Sequence, residues 1–166
     1  MILCIINSGA HPLAEKATQE SREHLVAMLK RFFQQEAERF QVRMAFLYGS
    51  RAHGVERPDS DVDLAVIFGD TVHSDKEIHR LSTDLSVALM RMLRAEANVL
   101  PVYVDFRKPM LYYNAIVRGI PVFLREPEGY SRLRNEAIFQ MEDFQLFGVK
   151  WQLDVAKRNL SGPKYA

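Results

Sequence analysis

Residues 47–68, L-Y-G-S-R-A-H-G-V-E-R-P-D-S-D-V-D-L-A-V-I-F, limit the fold more than any other part of the chain. An apolar strand runs into Gly49-Ser50, and a turn there can offer backbone N–H groups to a phosphate. Ten residues on, Asp61 and Asp63 open a second apolar strand. Alternate strand residues share a face, so these two carboxylates should project side by side. Paired carboxylates suit Mg²⁺, a hard ion that takes oxygen ligands from protein and from substrate phosphates. The pattern points to chemistry on a nucleoside triphosphate.

Two better-known motifs fail at the residue that carries their mechanism. Gly49 and Gly54 have the spacing of a Walker-type phosphate loop, but Val55-Glu56 stands where Lys-Ser/Thr is required. Asp59, Asp61 and Asp63 match the first three ligand positions of an EF-hand, yet Leu64 occupies the position that needs Gly. What survives is G-S-x10-D-x-D across a strand, a turn and a strand.

The rest of the chain frames that motif. Its 166 residues, 48% hydrophobic and 26% charged, suit one soluble domain with a real core. A net charge of +1 supplies no basic field, so direct nucleic-acid binding is not expected. The single Cys4 cannot close an internal disulfide and fits a reducing cytoplasm. Residues 1–6 are apolar but too few for a signal-peptide core, and no apolar run reaches membrane-spanning length. The expectation is a cytoplasmic protein with no membrane contact.

Residues 1–12 read as an N-terminal extension and 13–166 as a single domain. Leu25, Met28, Leu29, Phe32, Phe33 and Ala37 recur at helical spacing and predict a helix over 13–40. Strands are expected at 42–48 and 62–68, the second apolar on both faces and hence central. Residues 49–60 form the turn, with a short helix start. Ser74 and Glu77 have capping-box spacing and open a helix to about residue 94. A third strand is expected at 101–106, a short helix at 110–118 ended by Gly119, and a fourth strand at 120–124. A long helix over about 128–160 closes the chain. The fold class is α+β, a small mixed sheet flanked by helices.

With these residues in place, the chain resembles the minimal nucleotidyltransferases of the DNA polymerase β superfamily. The resemblance spans about residues 25–126 and includes R-A-H-G, R-P-D-S-D-V-D-L-A-V, V-Y-V-D-F and A-I-V-R-G-I-P-V-F. It implies a polymerase-β-like fold and a third carboxylate on a later strand, for which Asp105 is the expected residue. Asp61, Asp63 and Asp105 would then be both metal ligands, for two Mg²⁺ ions, and catalytic groups, with Asp105 drawing the proton from the attacking hydroxyl. Gly49, Ser50 and Arg51 would bind the phosphates of ATP. Arg51 reads equally as a solvated turn residue, and His53 equally as a packing group. Arg57, His73 and His79 read as surface residues, Ser60 as a turn residue. This assignment demands convergence. A third acid more than about 10 Å from the pair removes the two-metal centre, and the enzyme reading with it.

The chain leaves no room for a dedicated acceptor domain, so another molecule or a second copy must bring the acceptor. The resemblance extends to the adenylyltransferase antitoxins of HEPN/MNT toxin–antitoxin pairs. It implies AMP transfer from ATP to a tyrosine of a HEPN ribonuclease toxin. The final helix independently suggests a partner. Tyr130, Leu133, Ala137, Met141, Phe144, Gly148, Trp151 and Val155 form one stripe; Phe139, Leu146, Leu153 and Leu160 form another about half a turn away. One stripe can face the core, and the other needs a cover: a partner protein, a second copy, or the N-terminal segment. Transfer to a small molecule such as an aminoglycoside, and neutralisation of a partner by binding alone, remain alternatives.

Overall fold

The computed structural model describes residues 12–54, 60–72, 74–103 and 105–160. The expected extension, apart from Pro12, and Cys4, Arg57 and His73 lie outside them. Helix α1 (Pro12–Glu36) leads into β1 (Val42–Tyr48), the short α2 (Ser50–His53) and β2 (Val62–Phe68). There follow α3 (Asp75–Leu93), β3 (Ala97–Pro101), α4 (Pro109–Ile116) and β4 (Ile120–Leu124). The chain closes with α5 (Pro127–Asp143), a π-helical turn (Phe144–Gly148) and α6 (Val149–Leu160). The sheet order is β3-β2-β1-β4, with β1 antiparallel to β2 and β4, and β2 parallel to β3. It is the mixed, helix-flanked sheet expected of an α+β chain.

Alternation along β2 builds two cores. Val62, Leu64, Val66 and Phe68 face α1 and α3, meeting Leu29, Phe33, Leu81, Leu85 and Leu89. Ala65 and Ile67 face the other way, with Met44 and Phe46 of β1, against Tyr112, Ala115 and Ile116 of α4 and Ala137 of α5. Both layers exclude water, which explains why β2 is apolar throughout except at its start. Asp63 stands at that start on the α4/α5 face, where no helix covers it completely. Local signals hold elsewhere. The Ser74 side chain accepts a hydrogen bond from the Glu77 N–H at 3.1 Å, and Arg94 ends α3 in a left-handed conformation.

Two expected elements shift. The third strand is Ala97–Pro101 and not residues 101–106. V-Y-V-D-F has strand-like alternation, but the ladder ends at Pro101, with one further bond from the Val102 N–H to the Val66 carbonyl at 2.9 Å. The buried Tyr112 hydroxyl donates to the Pro101 carbonyl (3.2 Å) and accepts from the Tyr103 N–H (3.4 Å), which satisfies backbone groups the ladder no longer pairs. Phe106 then adopts φ +47, a turn conformation. The long final helix is the second shift. A π turn carries one residue more per turn than the α pattern allows, which rotates everything after Gly148 by roughly a quarter turn. Tyr130, Leu133 and Ala137 reach the core as expected. Trp151, assigned to the same stripe, is instead 65% exposed.

Candidate active site

The turn after β1 sets the geometry. Gly49 has φ 76 and ψ −157, a combination that only glycine adopts without strain. A Cβ built there would lie 2.5 Å from Asp63 Oδ2. The backbone of Gly49 thus packs directly on the carboxylate, and no side chain fits between them. Ser50 opens α2, and Gly54 ends it in the left-handed region. The Arg51 Nε donates to the Ser60 carbonyl at 2.7 Å. That bond ties Arg51 to the residue before Asp61 through its Nε alone, so the role expected for its guanidinium at a phosphate is neither used up nor shown by it. The His53 side chain is exposed and not the packing group considered from the sequence.

Asp61 and Asp63 come together as the alternation requires. Asn98, on β3, is the register partner of Asp63 in the parallel pair β2/β3. Its Nδ2 donates to Asp61 Oδ2 at 3.1 Å and to Asp63 Oδ1 at 3.4 Å. With carboxylates on both sides, only the NH₂ end of the amide can face them. Tyr48 is the register partner of Asp63 on the other side. Burial pushes the Asp63 carboxyl above its ordinary range, the Asn98 hydrogen bond opposes that, and the charge of Asp61 adds to it. The Tyr48 phenol is pushed up to about 12, by burial and then by the Asp63 charge, so it stays protonated at neutral pH.

Asp105 does not join them. It lies after β3, at the opposite end of the sheet, where it shares a cavity with Gly69 and Asp70 that follow β2. From Asp63 to the end of β2 is five residues, about 16 Å at the strand rise. The Asp105 carboxylate accepts from Arg107 Nε at 2.7 Å, and Arg107 Nη1 reaches Asp75 at 3.3 Å. Among the described residues no three acidic, His or Cys side chains converge on one point. The donor set therefore fits one divalent cation held by Asp61 and Asp63. It does not fit a two-metal centre completed by Asp105, and that expectation is withdrawn.

Asn98 and Tyr48 were not singled out from the sequence. Nothing in A-N-V-L-P marks Asn98, because its neighbourhood with Asp63 exists only through the β2/β3 register. Asn98 also lines a groove of about 350 Å³ that runs along β3 to Tyr103, walled by α3 residues including Ser86 and Met90.

Comparison with known proteins bears on this geometry. The family model described as Polymerase beta, Nucleotidyltransferase matches residues 28–128. Among proteins of curated function, none matches the sequence significantly. Solved structures share the fold. A chain of a toxin–antitoxin crystal structure with AMP-PNP superposes at TM-score 0.59 and 16% identity, over 76% of this chain and 98% of that one. A chain from a complex of tri-AMPylated Shewanella oneidensis HEPN toxin with MNT antitoxin gives TM-score 0.56 at 14% identity, over 79% and 98%. One from the MntA–HepT toxin–antitoxin gives 0.52 at 14%, over 83% and 98%. At these identities the likeness establishes the fold. The nucleotidyltransferase assignment rests on the match over 28–128, so the enzyme reading stands although the three-acid convergence demanded of it from the sequence is not met; that demand was too strict.

Proposed function

Because the chain belongs to the polymerase β nucleotidyltransferase family, we propose that it transfers AMP from ATP to a tyrosine hydroxyl of a HEPN toxin and so acts as an antitoxin. The observation that carries this reading is the Asp61–Asp63 pair bridged by Asn98, with Asp63 packed on the bare backbone of Gly49. The comparisons support the partner class, since the solved relatives include an MNT antitoxin with a tri-AMPylated HEPN toxin.

Asp61 and Asp63 would hold Mg²⁺, which when bound offsets the charge of the triphosphate. Gly49 would let the turn N–H groups approach the phosphates, and the Ser50 hydroxyl would donate to them. Tyr48, neutral at working pH, would stand beside Asp63 without adding charge. The acceptor oxygen then bonds to the α-phosphorus, the bond to pyrophosphate breaks, and AMP remains on the acceptor. A phenol suits this site, because its hydroxyl ionises near pH 10 unaided and needs less help from a third carboxylate than an alcohol does.

The partner would dock on the far part of the final helix. Leu146 and Leu153 are 66% and 56% exposed, with Phe139, Phe147 and Trp151 also uncovered. Apolar surface of that kind marks an interaction face. A HEPN toxin or a second copy would cover it. Glu at both 146 and 153 should abolish complex formation on gel filtration while ATP binding persists; an unchanged complex removes this face as the interface.

The deciding experiment incubates the chain with labelled ATP, Mg²⁺ and a co-purified HEPN toxin. Label on the toxin is expected, and label only on an added aminoglycoside would replace the reading with small-molecule transfer. A second reading, neutralisation by binding alone, is favoured by the amide at position 98. It would be upheld if the Asp61→Asn/Asp63→Asn double variant still silenced the toxin.

A further inference from the structure

The side chain at position 98 separates this site from the three-acid arrangement that the family resemblance implied. Register puts it next to Asp63, the place from which a strand residue can reach both Asp61 and Asp63. Asn98 does reach both, at 3.1 and 3.4 Å. An amide and a carboxylate of the same size act differently there. The amide donates two hydrogen bonds, so it holds the acidic pair together before any cation arrives. It brings no negative charge, so it does nothing to offset the repulsion between two divalent ions a few ångströms apart. Nor do the described residues supply that charge from elsewhere. Asp105 is engaged with Arg107 at the other end of the sheet, and among the described residues no third His, Cys or acidic side chain meets the pair.

We infer that Asn98 makes this a one-cation site, in which the pair Asp61–Asp63 seats the ion that travels with the nucleotide while the acceptor side has no ion of its own. Loading the nucleotide and activating the acceptor are then separate tasks. The chain performs the first, and the proton on the acceptor hydroxyl must leave to the partner or to solvent. The inference rests on the reading of Asp61 and Asp63 as a cation seat.

The test counts ions. The full chain is mixed with a non-hydrolysable ATP analogue and titrated with Mn²⁺. Bound metal is followed by electron paramagnetic resonance against an analogue-alone control. A single Mn²⁺ per chain is expected, without the signature of a coupled pair. Asn98→Asp should gain a second, spin-coupled Mn²⁺. A coupled pair in the unmodified chain would overturn the inference while leaving the proposed function standing, and that count needs no variant to fold. A well-folded Asn98→Asp that still binds one ion would overturn the role given to position 98. No protein-bound Mn²⁺ at all, even with the analogue, would sink the cation seat and the proposed function together.

Discussion

Both ends of the sheet carry carboxylates, and their surroundings give them opposite fates. At one end Asp61 and Asp63 share a neutral amide, and Asp63 also meets a neutral phenol and the Gly49 backbone. Among the described residues no cation pairs with either carboxylate, and burial makes the Asp63 charge costly. At the other end Asp105 and Asp75 share Arg107, and Asp70 and Glu126 share Arg43 at 3.0 Å each. Arg107 also lies over the Tyr103 ring at 4.2 Å. Those acids already have their cations. A carboxylate cluster is a functional candidate when its charge is unmet by its own chain, and proximity alone does not make it one.

The largest expected contrast is catalytic. Asp63→Ala should lower transfer about 10³-fold, since the lost electrostatic stabilisation is several kcal/mol and each 1.4 kcal/mol is tenfold. Circular dichroism should show the fold retained. Full turnover in that variant would be fatal to the site. Gly49→Ala comes next. It forces a Cβ to within 2.5 Å of Asp63 Oδ2 at φ 76, and backbone strain there costs about 1–3 kcal/mol. Nucleotide affinity and thermal stability should fall together, as a binding titration and calorimetry would reveal.

A subtler difference lies in pH. Folding raises the Asp63 pKa above its ordinary value of 3.8. Stability is therefore lost as pH rises from that value through the folded pKa, and the loss persists at neutral pH. Asp63→Asn should melt higher than the unmodified metal-free protein at pH 7, with the advantage vanishing below about pH 3.8. Equal melting temperatures across that range would show that the burial cost is not felt. The smallest effect belongs to the far end. Asp105→Ala should change transfer less than about twofold and stability by less than about 1 kcal/mol, because its ion pair is exposed. A loss of activity comparable to that of Asp63→Ala would erase the distinction between the two ends.

Much of this was legible in the residue order. The strand–turn–strand around Gly49, the α2 start, both faces of β2, the Ser74 cap and the end of α3 near Arg94 were all set by local pattern. Asp61 and Asp63 belong to the same class, because a period of two puts them on one face whatever the strand pairs with. What local pattern could not reach was anything that depends on another segment. V-Y-V-D-F alternates like a strand, yet the Tyr103 N–H is met by the hydroxyl of Tyr112, nine residues on, and not by a ladder partner. Stripe counting on the final helix failed after Phe144, where one extra residue in the turn rotates the downstream face.

Position 98 is the sharpest case. Residue order determined that two acids share a face behind a glycine turn, since that is a matter of backbone period within a single strand. Only the parallel pairing of β2 with β3, made across more than thirty intervening residues, decided that their third neighbour is an amide. Strand register is fixed by which apolar faces are buried together, and no short window of sequence contains that information.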